Sequence, residues 1–121
     1  MTKVVRLPKA LRSRAEENSG NQLLVSDEPE VVDALKDRPD LAQLIAEAAE
    51  RLLHGAPGAK LRLRAEPDPD YGGPPTLFLG VSFNLGESED LAELRRFDES
   101  WWVHQVPRAD GLLVVDLDDE L

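Results

Sequence analysis

Few side chains in this 121-residue sequence have the chemistry of catalysis or metal binding. The chain contains no cysteine, so disulfides, thiolate metal sites and cysteine nucleophiles are excluded. One of its two histidines, His54, lies at the expected end of a helix, where a cation interacts favourably with the helix dipole. The other, His104, follows Ser100 by four residues, but no nucleophile-elbow motif positions that serine for attack. The sequence therefore predicts no catalytic residue.

Carboxylates cluster in two places where a divalent cation is the first ligand to consider. Asp68 and Asp70 lie in a proline-rich stretch, and a second group occupies residues 116–120. Neither group has the spacing of an EF-hand loop, which needs glycine at position 6 and glutamate at position 12. Gly72 and Gly73 are followed by two prolines, which cannot donate the amides that a phosphate-binding loop uses. We therefore predict no metal and no cofactor.

The stretch "FDESWW" (97–102) contains two adjacent tryptophans in a chain with few aromatic residues. On an α-helix, Phe97 and Trp101 share the face that packs against a sheet, while Trp102 lies about 100° further round. We favour Trp102 as a hydrophobic lid at the edge of the domain. The alternative is a partner-binding patch, since tryptophan is enriched at interface hot spots; its members would be Trp102, His104, Asp98 and Glu99.

A second candidate surface comes from the alternating run "KLRLRAE" (60–66). Leu61 and Leu63 point to the core, so the opposite face of the strand presents bases beside a large apolar ring. These candidate partner-binding residues are Lys60, Arg62, Arg64 and Phe78. A face of this composition is rarely left bare. Either the N-terminal segment, with Val4, Val5 and Leu7, covers it, or it is a homodimer or partner interface.

The charge of the chain is divided unevenly. The formal net charge is −10, yet residues 1–14 hold five bases and no acid: Lys3, Arg6, Lys9, Arg12 and Arg14. The remaining residues hold nine bases and 24 acids, a body that repels phosphate and favours a basic protein partner. The basic arm has three interpretations: it binds its own acidic body, it binds nucleic acid, or it binds nothing.

Periodicity and turn residues predict the elements that position these side chains. A short helix buries Val31, Val32 and Leu35, and a longer one follows Pro39 with apolar residues at three- and four-residue spacing up to Gly55. Alternating runs at 60–66 and 76–85, joined by a loop rich in proline and glycine, predict a hairpin. A helix over 86–106 and a strand over 112–118 complete the chain.

These elements predict an α+β fold in which a helical N-terminal third is followed by β-β-α-β. The three strands would form an antiparallel sheet with the helices packed on one face. Because crossovers are right-handed, the last strand is expected beside the first, in the order 3-1-2. We assign residues 1–20 to a basic arm and residues 21–121 to a single α+β domain.

Two parts of the sequence resemble known groups of proteins. A helix with Phe97, Asp98, Glu99, Trp101 and Trp102, followed by the apolar strand Leu113 to Asp116, resembles small uncharacterised bacterial α+β proteins; this implies a fold and no activity. The opening "VVRLPKALRSRAEE" is similar to ribbon–helix–helix regulators, in which a short strand leads into a helix and DNA is bound. The continuation "NQLLVSDEPE" after Gly20 departs from the regulators' pattern.

We interpret the protein as a non-enzymatic macromolecular interaction protein with an antitoxin- or inhibitor-like role. Acidic proteins of this kind neutralise basic partners by electrostatic complementarity. The alternative is a DNA-binding transcriptional regulator that uses residues 3–14. No apolar run approaches the roughly 20 residues that span a bilayer, and the N-terminus lacks a signal-peptide apolar region, so no membrane partner and a cytoplasmic location are expected.

Overall fold

The computed structural model describes residues 23–66 and 75–121. The basic arm, residues 1–20, and the loop rich in proline and glycine at residues 67–74 lie outside the described residues. The described residues form an α+β structure with a four-stranded mixed sheet. The predicted α+β class is therefore confirmed for them.

The sheet has the strand order β1-β2-β3-β4. Its strands are β1 (Leu23–Val25), β2 (Lys60–Glu66), β3 (Thr76–Ser82) and β4 (Leu113–Leu117). The antiparallel pairing of β2 with β3 runs from Lys60 opposite Ser82 to Glu66 opposite Thr76, which confirms the predicted hairpin. β1 pairs parallel to β2, and β4 pairs parallel to β3.

The predicted three-stranded antiparallel sheet and the helical N-terminal third are both wrong. Residues Leu23–Val25 form a strand on the outer edge of β2, and the Ser26 amide extends this pairing by donating to the Leu63 carbonyl oxygen at 2.8 Å. Because that edge of β2 is occupied, β4 pairs with β3 instead. There it runs parallel to its neighbour, and the predicted order 3-1-2 is wrong as well.

The handedness of the two parallel connections explains why the predicted strand order was wrong. Both parallel connections lie on the same face of the sheet, because their helices share one core with β2 and β3. Each moves the chain one strand further in the same direction across the sheet, but β1 and β2 run opposite to β3 and β4. Two such crossovers have opposite hands. The preference for right-handed crossovers therefore holds for only one of them.

Two helices connect β1 to β2. Helix α1 spans Glu28–Leu35 and helix α2 spans Pro39–Gly55; each has a proline in its first turn, where the missing amide is not needed. The predicted apolar face of α2 is confirmed as buried, and it is widened by four buried alanines. The buried residues of α2 are Leu41, Ala42, Leu44, Ile45, Ala46, Ala48, Ala49, Leu52 and Leu53.

A third helix connects β3 to β4 in three consecutive segments. Helix α3 spans Glu87–Phe97, a π-helical turn spans Asp98–Trp102, and helix α4 spans Val103–Ala109. Gly86, with φ of 104°, occupies the N-cap position of α3, and Asp110 and Gly111 turn the chain into β4 with positive φ. The continuous α-helix expected over 86–106 is therefore interrupted at the aromatic cluster.

One face of the sheet is covered by the helices. Its inward side chains are fully buried: Leu61, Leu63, Leu77, Leu79 and Val81. The pairing register places another set on the opposite face, which we call the open face: Leu24, Arg62, Arg64, Phe78, Gly80, Val114 and Asp116. None of the helices of the described residues packs on the open face, and none is both long and apolar enough to cross a membrane.

Candidate partner-binding surfaces

The π-helical turn determines where the two tryptophans point. In an α-helix, neighbouring residues differ by about 100°, so only one of two adjacent rings faces the core. Here the Val103 amide donates to the Asp98 carbonyl oxygen, five residues earlier, which widens the turn. Both rings are consequently buried, with Trp101 8% and Trp102 7% exposed.

Trp102 packs as the lid interpretation expects. Its ring stacks on Phe97 with 6.2 Å between centroids and 16° between planes, and Trp101 lies 6.1 Å away. The other members of the proposed patch, Asp98, Glu99 and His104, are exposed. The structure thus leaves a polar exposed surface at this turn, and the Trp102 ring offers little area to a partner.

A cleft of about 610 Å³ lies between α2 and the third helix, with Leu52, Phe83, Phe97 and Trp101 among its lining residues. The Arg51 guanidinium lies 4.9 Å from the centre of the Trp101 ring, within cation–π range. The lining also includes carboxylates and bases: Glu47, Glu50, Glu93, Arg51, His54 and Arg96. With both signs present in similar number, the cleft has no clear preference for the charge of a ligand.

An ion pair fastens α2 to α4 beside this cleft. Arg108 donates from Nη2 to Glu47 Oε2 at 2.7 Å. The hydrogen bond from Arg108 lowers the pKa of Glu47 below its ordinary value, although partial burial acts in the opposite direction. The same contact raises the pKa of Arg108. The ion pair connects α2 to α4, and the periodicity of the sequence does not predict that these two helices are neighbours.

The basic face of β2 is already neutralised by carboxylates of this chain. Arg62 donates from Nε to Asp118 Oδ2 and from Nη2 to Asp118 Oδ1, both at 2.9 Å. A further bond from Nη2 reaches Glu120 Oε2 at 3.1 Å. Hydrogen bonds to Glu120 and Asp118 raise the pKa of Arg62. The candidate basic surface is therefore much less basic than its sequence suggests.

The other candidate residues on this face, Arg64, Phe78 and Lys60, make different contacts within the chain. Arg64 forms an ion pair with Glu66 and stacks on the Phe78 ring at 4.7 Å, so the structure brings these two predicted residues together. Lys60 is exposed at the start of β2. All these residues lie on the open face, as the alternation of "KLRLRAE" predicts.

Gly80 makes room for the Arg62–Asp118 pair, and sequence reasoning missed it. It lies opposite Arg62 on β2 and opposite Asp116 on β4. A Cβ atom at this position would lie 2.6 Å from Asp118 Oδ2 and 2.7 Å from Asp118 Cβ. The available signal was a glycine in the middle of a strand, which often marks a close approach by other atoms.

A cavity of about 550 Å³ lies on the open face over Gly80. Two bases, Arg62 and Arg64, and the apolar ring of Phe78 are among its lining residues. The carboxylates that line it outnumber the bases by three: Asp27, Asp116, Asp118, Asp119 and Glu120. A ligand for this cavity would need positive charge together with apolar groups.

A smaller groove of about 370 Å³ opens where β3 leads into α3, and we call it the acidic groove. Its charged lining residues are all carboxylates: Glu87, Asp90, Asp118 and Asp119. The carboxylate of Asp90 is held in place because its Oδ1 accepts a hydrogen bond from the Leu85 amide at 3.0 Å. Across residues 23–66 and 75–121, no three Asp, Glu or His side chains are grouped to hold a metal ion.

The remaining predicted site residues belong to the basic arm. Lys3, Arg6, Lys9, Arg12 and Arg14 lie outside the described residues, so their part in binding nucleic acid stays a prediction.

Comparisons with known proteins give this chain no relative: no protein-family model, no curated protein and no solved structure matches it. The resemblances to small bacterial α+β proteins and to ribbon–helix–helix regulators therefore stay predictions.

Proposed function

We propose that this protein is a non-enzymatic interaction protein that binds a basic protein partner at its acidic groove. The observation that carries the proposal is the lining of that groove, which contains no base and three carboxylates besides Asp118, the one that is paired with Arg62. The groove lies in a strongly acidic part of the chain, since residues 75–121 contain eleven Asp and Glu but three Arg. Lysine or arginine side chains of a partner are its natural occupants.

The ion pairs of the protein favour the same function. On the open face and between α2 and α4, each prominent arginine is matched by a carboxylate of the chain itself, as in Arg62–Asp118 and Arg108–Glu47. The carboxylates left over are those that a partner meets. An antitoxin- or inhibitor-like role in the cytoplasm suits such a surface, because neutralising a basic partner needs shape and charge and no catalytic group.

The test begins with the tagged full-length protein purified from its own host after nuclease treatment. A stoichiometric basic protein is expected, and its affinity is then measured with purified components. Reversing two groove charges, with Glu87→Lys and Asp119→Lys, should weaken binding by about tenfold or more. The control is the double variant Glu30→Lys and Asp37→Lys, which changes the net charge by the same amount at two exposed residues, one in α1 and one just after it. This control should change the affinity by less than about threefold.

Three results would contradict the proposal. The captured partner could be acidic, the groove variant could bind as well as the wild type, or both double variants could weaken binding equally. Recovery of nucleic acid in a parallel without nuclease, lost when Lys3 and Arg6 are replaced by glutamine, would favour the alternative regulator.

A further inference from the structure

The open face of the sheet presents the strongest feature that the acidic groove does not explain. Leu24 and Val114 on this face are 49% and 38% exposed, and the half-buried Phe78 lies opposite Val114 in the register. The cavity beside Phe78 carries three more carboxylates than bases. The surface is thus both apolar and negatively charged, which restricts what can cover it.

We infer that residues 3–14 of the same chain dock on the open face. This segment has the composition that the face requires, since five bases and no acid are interspersed with aliphatic side chains: Val4, Val5, Leu7 and Leu11. The aliphatic side chains would contact Phe78 and Val114, and the bases would meet the unmatched carboxylates around the cavity. The cavity and the acidic groove share Asp118 and Asp119 in their linings, but the docking requires no partner at the groove.

The length of the chain permits this docking. Residue 22 is joined directly to Leu23, the first residue of the edge strand β1. Crossing from β1 to β4 covers three strand spacings, about 14 Å. Residues 15–22, if extended, cover up to about 26 Å at roughly 3.3 Å per residue. Residues 3–14 can therefore reach every part of the open face without strain.

A second copy of the chain is a poorer occupant than the arm. Two open faces placed against each other would bring together two cavities that each have an excess of carboxylates. Like charges in an interface are unfavourable, whereas the arm supplies five positive charges. Nucleic acid is disfavoured on this face by the same repulsion.

Thiol reactivity tests the docking, because the chain has no cysteine of its own. Val114→Cys places one thiol on the open face, and Val103→Cys places a control thiol on the helical side, where Val103 is 50% exposed. Each is made in the full-length chain with a natural arm and with an arm carrying Val5→Glu and Leu7→Glu. The rate of reaction with uncharged N-ethylmaleimide is then measured.

The natural arm is expected to slow the reaction at position 114 about tenfold relative to the altered arm, which corresponds to a face covered nine-tenths of the time. High salt should remove most of this protection, and position 103 should react equally in all proteins. Equal rates at position 114 would overturn the inference. Protection that increases with protein concentration would also overturn it, because a second copy would then be the occupant.

Discussion

Replacing Gly80 with alanine tests how the open face is built. The added Cβ would lie 2.6 Å from Oδ2 and 2.7 Å from Cβ of Asp118, both closer than such atoms approach each other. The carboxylate can rotate away, but the Cβ of Asp118 moves only with its backbone. That backbone is held because the Asp118 amide donates to the Val81 carbonyl oxygen at 3.0 Å. Gly80→Ala should therefore displace Asp118 from Arg62.

The expected loss of stability combines two opposing effects. Forcing an extra methyl group into a packed site costs about 1–3 kcal/mol. Replacing a glycine inside a strand with alanine returns about 0.5–1 kcal/mol, because the unfolded chain loses freedom. The free energy of unfolding should thus fall by about 1 kcal/mol, within a range from about 0 to 2.5 kcal/mol. Gly58→Ala is the control, since nothing lies within 4 Å of its Cβ position, and it should change stability by less than about 0.5 kcal/mol.

Urea unfolding followed by the fluorescence of the buried tryptophans measures these changes. The effect of Gly80→Ala is then measured again in two proteins that already carry Asp118→Ala or Asp118→Gly. The comparison separates the clash with the Asp118 carboxylate from the clash with the Asp118 Cβ. Asp118→Ala removes the carboxylate but keeps Cβ, so part of the cost should remain. Asp118→Gly removes every atom within 3.0 Å, and the alanine should then be neutral or slightly stabilising.

Two outcomes would refute this reasoning. If Gly80→Ala stabilises the natural protein by about 0.5–1 kcal/mol, as the reduced freedom of the unfolded chain alone would do, Asp118 does not occupy the space over Gly80. If the same cost persists beside Asp118→Gly, the strain arises elsewhere in the strand. In either case the Arg62–Asp118 pair would no longer explain why residue 80 is a glycine.

Other predictions concern the aromatic cluster and the fastener between helices. Trp102→Ala should lower the free energy of unfolding in urea by about 3–5 kcal/mol because the ring is buried. Val103→Ala, a change at the exposed neighbouring residue, should alter it by less than about 0.5 kcal/mol. If both variants lose similarly little stability, Trp102 is not part of the core. The folded-state pKa of Glu47 lies below its ordinary 4.5, so its pair with Arg108 stabilises the protein above that pH, and the stabilisation is lost as pH falls through the folded-state pKa. The stability difference between the natural protein and Arg108→Gln should accordingly be widest at neutral pH and should shrink as the pH falls below 4.5 and through the folded-state pKa of Glu47; a difference independent of pH would contradict this prediction.

Local patterns predicted the parts of the fold that local physics controls. The spacing of Leu41, Leu44 and Ile45 indicates the buried face of α2, and strict alternation indicates which sides of β2 and β3 meet the core. Strand β1 was missed because three residues, Leu23–Val25, are too few to show a period. Its identity as a strand comes from pairing with β2, which lies beyond two helices in the chain.

The candidate sites show the same division between features that local patterns predict and features that depend on distant residues. The sequence indicated that Arg62, Arg64 and Phe78 share a face, and the structure brings Arg64 and Phe78 together there. It did not indicate that Arg62 is neutralised, because its partner Asp118 lies 56 residues away. It also expected a regular helix through the tryptophans, whereas the wider turn after Phe97 buries both rings.

The sequence by itself determined the charge division, the absence of thiol chemistry, the main helix and the hairpin, because composition and periodicity are local properties. Only the tertiary structure decided which strand occupies each edge of the sheet, which bases are matched by carboxylates, and where unmatched carboxylates gather. These are consequences of contacts between residues far apart in the chain. Their energies depend on distances of a few ångströms, which no local pattern specifies.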